Sequence, residues 1–373
     1  TQFTYHTFVP GSVSGRSGDV SFEPESIFKQ YSNEGALYIS DDIEFSEELK
    51  VHAGLRYSSF QFGGPITFRN YLLNEITQDS ANNHRHLEPR ISLRYKLNKK
   101  SSFKASYTQN YQYVHLASFS SVSLPTDLWI PSSRTIKPQY GRQFAAGLFR
   151  NFFDNKWETS IEAYHKKIDN LIEYKEGVFP EDNTNSSSDN AFTFGSGESY
   201  GLEFFIKKRL GKTTGWIGYT IAKTERYFEE LNDGQSFPAK YDRTHDLSVT
   251  ATHELNDKWV FSAIFVYATG NTLTPTVDRY VVDGNLFTQF GDRNSYRMSP
   301  YHRMDISATY TRNKPNKKFN SSWNFSIYNV YNRANPYFIY FDVEGEGSLS
   351  DGQLEPKAFQ ISLFPIIPSI AWN

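Results

Sequence analysis

The chain has 373 residues, of which 38% are hydrophobic and 17% aromatic, and its formal net charge is −2. This charge balance excludes the strongly basic nucleic-acid-binding proteins, and the lack of cysteine excludes disulfides and thiolate metal sites. No apolar run of about 18 residues occurs, so the sequence predicts no transmembrane helix.

Alternation between apolar and charged residues is clearest from residue 86 to residue 113. One parity holds Leu87, Ile91, Leu93, Tyr95 and Leu97, whereas the other holds His86, Glu88, Arg90, Ser92, Arg94 and Lys96. Successive side chains of a strand point to opposite faces, so this pattern predicts a strand with one apolar and one charged face. A polar turn at 98–100 and a returning strand at 101–113 complete a hairpin.

The same unit of strand, short turn, strand and long loop repeats along the whole chain. About fourteen strands are predicted, at 1–9, 35–45, 49–59, 86–97, 101–113, 139–153, 156–174, 199–210, 213–228, 242–255, 258–268, 301–312, 319–343 and 356–373. Short turns of about 2–6 residues alternate with loops of about 12–32 residues, the asymmetry typical of outer-membrane barrels. The sequence therefore predicts an all-β protein, a transmembrane antiparallel β-barrel.

In such a barrel the apolar parity faces lipid and the charged parity faces the lumen. The residues predicted to line the lumen are Arg90, Arg94, Lys96, Glu158, Glu162, Glu203, Lys207, Arg209, Arg303 and Asp305. Mixed charge of this kind suits either a polar plug or a water-filled channel. The alternative for each residue is that it only solvates one face of a sheet.

No catalytic constellation is present, so the sequence predicts neither an enzyme nor a bound cofactor. Residues 195–199, GSGES, lack the G-x-S-x-G spacing and the strand–turn–helix context of a nucleophile elbow. His84 and His86 with Glu88 could bind a metal, and the acidic loop positions Glu181, Asp182 and Asp189 could bind Ca²⁺. For both sets we favour a structural or solvated role and predict no metal site.

Aromatic residues in or beside the long loops are the candidates for substrate binding, because their rings provide large contact areas at low entropic cost. The candidates are Trp129, Tyr227, Phe228, Phe237, Tyr280, Phe287, Phe290, Tyr296 and Tyr337. The alternative is that they form the outer aromatic girdle or pack the loops against each other.

Several segments together resemble the barrel of TonB-dependent outer-membrane receptors, particularly those of Bacteroidota. They include EGALYISDDIEFSEELKVHAGLRYSSF, LEPRISLRYKLNKKSSFKASYTQNYQYVHL, LPTDLWIPSSRTIKPQYGRQFAAGLFRNF, YHRMDISATY, WNFSIYNVYNRANPYFIYF and FQISLFPIIPSIAWN. The resemblance implies a barrel of 22 strands with an N-terminal plug and a TonB box. On this basis residues 1–373 are expected to form a partial barrel domain, with the plug, the TonB box and a few terminal residues lying outside the chain.

The resemblance further implies import of a scarce nutrient (siderophore, vitamin, oligosaccharide or peptide) across the outer membrane of a Gram-negative cell. The expected partners are outer-membrane lipid, the TonB motor acting through the N-terminal region, a plug or another chain that supplies the remaining strands, and a surface lipoprotein. Two alternatives remain open from the residues alone. One is a free-standing passive channel of 14 strands, and the other is a surface adhesin or structural barrel.

Overall fold

A computed structural model describes residues 1–8, 15–17, 20–22, 30–63, 66–70, 75–79, 82–117, 128–176, 191–282, 285–312, 321–344 and 355–372. Within these ranges the regular structure is β-strand, apart from a single 3₁₀ turn at Asn232–Gly234. No helix in the described part of the chain is long and apolar enough to cross a bilayer.

Fourteen strands follow one another in sequence order across a single antiparallel sheet, which confirms the predicted count. They are β1 (Gln2–Phe8), β2 (Gln30–Glu44), β3 (Leu49–Gly63), β4 (Asn82–Asn98), β5 (Ser101–Gln112), β6 (Gln139–Phe152), β7 (Trp157–Tyr174), β8 (Phe192–Lys208), β9 (Thr213–Phe228), β10 (His245–Glu254), β11 (Trp259–Ala268), β12 (Tyr301–Arg312), β13 (Ser321–Tyr328) and β14 (Ile367–Trp372). Each strand pairs with its neighbours in the chain, as in an up-and-down barrel wall.

The short turns are made by residues that suit tight reversals. Ser46 accepts hydrogen bonds on its Oγ from the backbone N–H groups of Glu48 and Leu49, both at 3.1 Å. Asn256 likewise accepts a hydrogen bond on its Oδ1 from the backbone N–H of Trp259, at 3.0 Å. The turn between β6 and β7 has positive φ values, including 64° at Asn155, a conformation that Asn tolerates.

The alternating pattern produces a sheet with two chemically different faces. On β4 the apolar parity is exposed, with Leu87 at 54%, Ile91 at 49% and Leu97 at 51%, whereas Glu88 on the other parity is 0% exposed. An apolar face left open on the outside is what a membrane-spanning strand requires.

Small two-stranded sheets lie in the long connections. They pair Gly15–Ser17 with Val20–Phe22, Ile66–Asn70 with Glu75–Asp79, Val114–Ala117 with Leu128–Pro131, Thr272–Leu273 with Tyr296–Arg297, Thr276–Val282 with Asn285–Phe290, and Pro336–Glu344 with Glu355–Ser362. The short strand Phe237–Pro238 adds to the outer end of β9. The long connections therefore carry more β-structure than the predicted loops.

Several strands also extend beyond their predicted outer ends. β2 begins at Gln30 rather than 35, β3 runs on to Gly63, and β8 begins at Phe192 rather than 199. Phe60, Phe62 and Phe192 in these extensions are buried in clusters with residues of the loops and neighbouring strand ends rather than exposed on the apolar face. The alternation that identifies a membrane-facing strand is therefore not required there.

The predicted strand 319–343 is wrong as a single element, because the chain turns at Asn329. Asn329 is 0% exposed and has a φ of 53°. Its N–H bonds to Oδ1 of Asp305 at 2.9 Å, and its Nδ2 donates to the carbonyl of Phe364 at 3.1 Å. The predicted last strand, 356–373, is likewise divided, since Phe364 has a φ of 58° and only Ile367–Trp372 joins the main sheet.

Candidate functional site

The charged parity converges on the concave face of the sheet. A cavity of about 590 Å³ on this face is lined by Lys50, Arg94, Lys104 and Glu162, among other residues of β2 to β7. Successive strands thus bring side chains that are far apart in the sequence to one polar surface.

Two pairs of like charges lie at the same height on this surface. Arg94 is directly opposite Lys104, and Glu162 is directly opposite Glu203. Gly147 separates the two pairs, since it is the cross-strand partner of both Lys104 and Glu162. Within the described ranges none of the four charged side chains takes part in an ion pair. Directly opposed like charges destabilise a sheet unless a counter-charge lies nearby.

Other residues predicted for the lumen lie on the same face, and four of them form two ion pairs. Glu158 Oε1 accepts a bond from Arg209 Nη1 at 2.7 Å, and Arg303 lies 3.0 Å from Asp305. Arg90 lies over Gly54, where an added Cβ would come within 3.1 Å of the Arg90 Cγ. The structure therefore brings the predicted set together on one face, and its role in lining a lumen stays a prediction.

A second polar cluster occupies the outer end of the concave face. Ser58 lies 2.5 Å from Glu88 and 2.6 Å from the Tyr113 hydroxyl, which also lies 3.0 Å from Nδ1 of His86. Burial raises the pKa of Tyr113 to about 12, so this hydroxyl stays protonated and can donate a hydrogen bond. The cluster therefore surrounds the buried Glu88 carboxylate with the Ser58 hydroxyl and with Arg56, whose Nη1 lies 3.7 Å from Glu88 Oε2.

The hairpin beyond β5 holds a buried histidine in one neutral form. His115 is 0% exposed, with its Nδ1 3.2 Å from Nε2 of Gln139 and its Nε2 3.1 Å from Oγ of Ser132. The Gln139 amide donates to Nδ1, so the proton of the imidazole is assigned to Nε2. Burial lowers the pKa of His115 to about 4.

Buried ion pairs hold the outer loops between β7 and β12 together. Glu173 is 4% exposed and accepts from Arg226 at 2.9 Å and from Lys240 at 3.3 Å. Arg297 reaches Oδ2 of Asp242 at 2.5 Å. Burial lowers the pKa of Lys240, and the adjacent Glu173 carboxylate opposes that shift. The sequence prediction missed this network, because its members come from the outer ends of β7 and β9 and from two different loops, and no local motif joins them.

The predicted loop aromatics fall into different environments. The exposed members are Trp129 at 59%, Tyr296 at 50%, Tyr337 at 46%, Tyr227 at 45% and Phe290 at 44%. In contrast, Phe237 is 2% exposed and stacks on the fully buried Phe228 at 6.0 Å, in a cluster with Leu171 and Leu231. Tyr280 and Phe287 are cross-strand partners in the hairpin of the longest loop. Trp129, Tyr227, Tyr296 and Tyr337 are thus accessible to a ligand, whereas Phe237 and Phe228 pack the loops.

The remaining motifs show no reactive geometry. Residues 195–199 lie within the first half of β8, without the turn and helix of a nucleophile elbow. No group of three or more potential metal ligands occurs among the described residues. Glu181, Asp182 and Asp189 fall outside the described ranges.

A two-faced antiparallel sheet with an exposed apolar exterior and a polar concave face defines the class of outer-membrane β-barrels. Residues 1–332 match the family described as "TonB dependent receptor-like, beta-barrel". The chain therefore belongs to this family of outer-membrane proteins. Comparison with curated proteins finds no match.

Solved structures of the same fold include several receptors. The ferric-catecholate import receptor Fiu of E. coli K12 has a TM-score of 0.59 and 13% identity, covering 99% of this chain and 50% of that one. The siderophore receptor PiuA of Acinetobacter baumannii has a TM-score of 0.57 and 14% identity, covering 92% of this chain and 43% of that one. The pyoverdine receptor FpvA of Pseudomonas aeruginosa has a TM-score of 0.57 and 15% identity, covering 85% of this chain and 40% of that one. The chain thus spans about half the length of these proteins or less, and the likeness shows the fold.

Proposed function

We propose that the chain forms the C-terminal part of the barrel of a TonB-dependent importer of a scarce nutrient. The observation that carries the proposal is the match of residues 1–332 to the TonB-dependent receptor barrel family. The polar concave face with its like-charged pairs suits a plug as well as a water-filled channel, so the family match is what favours the plugged importer over a passive channel or a structural barrel. The proposed function involves no catalysis.

We further propose that a plug domain, supplied by a part of the receptor outside this chain, covers the concave face. Cations of the plug would lie against Glu162 and Glu203, and anions against Arg94 and Lys104. These contacts would offset the repulsion within each pair. The TonB motor would act on that plug, and the remaining strands would come from the same part of the receptor or from another chain.

The substrate is proposed to be a siderophore, a vitamin, an oligosaccharide or a peptide. A ferric siderophore is the first to test, because the structures of Fiu, PiuA and FpvA are named for ferric catecholate, siderophore and pyoverdine. The exposed aromatics Trp129, Tyr227, Phe290, Tyr296 and Tyr337 would contact it. A receptor of the Bacteroidota type, capped by a surface lipoprotein, belongs to the same proposal.

Uptake by the full-length receptor tests this function. Cells that depend on this receptor would be given a labelled ferric siderophore, with or without a protonophore and in the presence or absence of TonB. Import that requires both the proton gradient and TonB is expected. Uptake that survives loss of either would instead indicate a passive channel. If the receptor binds vitamins, oligosaccharides or peptides without any uptake, it is an adhesin and the proposal fails.

A further inference from the structure

The backbone pairing between β4 and β5 stops before the two strands end. Within the described residues 82–117 the outermost cross-strand pair between them is Arg90 with Thr108. Beyond this pair β4 continues to Asn82 along β3, and β5 continues to Gln112 along β6. Two neighbouring strands of the wall therefore separate at their outer ends, and we call the gap between them the seam.

A proline and a side-chain amide lie at the base of the seam. Pro89 follows the last pair on β4 and has no N–H to donate to a partner strand. On β5 the next residue is Gln109, whose Nε2 donates to the carbonyl of Leu87 at 3.3 Å. Its Oε1 accepts from the Tyr107 hydroxyl at 3.2 Å. One side chain thus bridges the strands where the backbone ladder has ended.

Rings from opposite faces of the sheet meet in the seam. His86 has the parity of the buried Glu88, on the concave face, whereas Tyr111 lies opposite Tyr140, which shares the outward parity of the exposed Phe144. In a continuous sheet His86 and Tyr111 would lie on different faces. Their rings instead stack at 3.7 Å with an interplanar angle of 12°. The outer end of β5 therefore lies behind β4, towards the concave side.

The stacked rings continue on both sides of this contact. Towards the outside Tyr111 stacks on Tyr140 at 4.9 Å. Towards the concave side His86 stacks on Tyr113 at 5.8 Å, and Tyr113 lies parallel to the buried Phe60 at 5.1 Å and 3°. The five rings form an unbroken series from the outward face of the wall to the concave face.

The outward side of the seam is flanked by apolar side chains that face lipid. Leu87 on β4 is 54% exposed, and Phe144 on β6 is 58% exposed and lies 4.6 Å from the ring of Tyr107. At membrane depth, irregular backbone is tolerated where it is buried in protein or lines a cavity. A molecule dissolved in the hydrocarbon layer can therefore reach the seam along apolar side chains.

We propose that the seam binds a planar aromatic molecule that enters from the hydrocarbon layer. Its ring would insert beside Tyr111 and His86, in the offset-stacked arrangement that aromatic rings prefer. Movement of the Gln109 amide away from Leu87 would admit it, because no backbone ladder has to break there. The proposal does not depend on the transported nutrient.

Binding of pyrene by the full-length receptor in phosphatidylcholine nanodiscs tests this site, with protein-free nanodiscs as the background. The variant L87C/Q109C allows a short bifunctional thiol reagent to join β4 and β5 across the seam. In the control L93C/A105C the same reagent joins these strands where they are already paired. Joining across the seam should abolish saturable pyrene binding, whereas joining at the control level should leave the affinity within about twofold.

A second pair of variants removes rings without cross-linking. H86L/Y111L takes two rings out of the seam and should bind pyrene roughly tenfold more weakly. The control Y95L/F103L removes a cross-strand pair of rings from the paired, lipid-facing part of the same strands and should stay within about twofold.

Three results would each overturn the proposal. They are unchanged pyrene binding when the strands are joined across the seam, equal losses in H86L/Y111L and Y95L/F103L, and no saturable binding by the unmodified receptor. If H86L/Y111L does not fold, the two cross-linked forms carry the test.

Discussion

Glu162 on β7 lies directly opposite Glu203 on β8, and no cation within the described ranges pairs with either carboxylate. An antiparallel sheet gains stability when such a pair has opposite charges and loses it when the charges are alike. The sheet therefore carries a repulsion that a cation from outside the sheet would remove. We interpret the opposed carboxylates as part of a surface that another polar domain covers.

Replacing both carboxylates, in E162Q/E203Q, should weaken attachment of the proposed plug in the full-length receptor. Each lost charge-assisted hydrogen bond should cost roughly 1.5–3 kcal/mol of plug stability. The measurement is the urea concentration at which a cysteine introduced in the plug becomes reactive. The control E158Q affects a carboxylate on the same face that already pairs with Arg209, and its midpoint should not change. An unchanged or higher midpoint in the double variant contradicts the assigned role.

Replacing Glu173 by Gln should unfold the outer loops locally. The change leaves Lys240 and Arg226 buried without their anion, which typically costs about 3–5 kcal/mol. Hydrogen exchange of residues 229–244 in the full-length receptor should become faster, while exchange in the membrane strands stays slow. The control E225Q breaks an ion pair with Lys223, which is 53% exposed, and should cost at most about 1 kcal/mol. If residues 229–244 are equally protected from hydrogen exchange in E173Q and E225Q, Glu173 does not anchor the outer loops.

The hairpin formed by Val114–Ala117 and Leu128–Pro131 should lose stability in acid because of His115. Its pKa is about 4 in the folded hairpin and 6.5 in the reference state, so only the unfolded state takes up a proton between those values. Stability is therefore complete above pH 6.5 and falls towards pH 4, by about 3 kcal/mol in total. Hydrogen exchange of this hairpin, measured from pH 7 to pH 4, should show the loss. In H115Q the pH dependence of the hairpin's stability should disappear. If it persists, a group other than His115 causes the loss of stability in acid.

Replacing Trp129 by Ala should weaken binding of the nutrient and leave folding intact. Trp129 is 59% exposed, so it is free to contact a ligand and contributes little to packing. A loss of about tenfold in affinity is the expected size for an aromatic contact. Replacing the buried Phe237 by Ala should instead destabilise the loops by about 3–5 kcal/mol. Ligand titration and limited proteolysis of both variants distinguish ligand contact from loop packing. If W129A binds the nutrient with unchanged affinity, Trp129 is not part of the binding site.

The sheet could be predicted from the sequence because lipid requires an alternation of apolar and polar residues in every membrane strand. Leu87 and Arg90 differ in parity, and the structure places them on opposite faces as predicted. The same reasoning fails past the apolar band. At Ser32 and Asn33 both side chains are polar, so the alternation that would reveal the extended end of β2 is missing.

The loops could not be predicted to the same degree because their order depends on contacts between distant residues. From the sequence alone Lys240 resembles an ordinary surface lysine, because nothing local shows that the outer end of β7 places Glu173 beside it. The turn at Asn329 depends in part on the carboxylate of Asp305 and the carbonyl of Phe364. Among the aromatics, only packing distinguishes Phe237 from Trp129, since both stand in similar loop sequences.

The most direct test of the central claim is the intact mass of the native protein purified from outer membranes. This chain accounts for 43.0 kDa and spans 50% of Fiu, so a plugged receptor should have a mass of about 86 kDa. A mass in that range, with a plug sequence in the additional part, is the result we predict. A native mass near 43.0 kDa would contradict the account, because the concave face would then have no plug of its own.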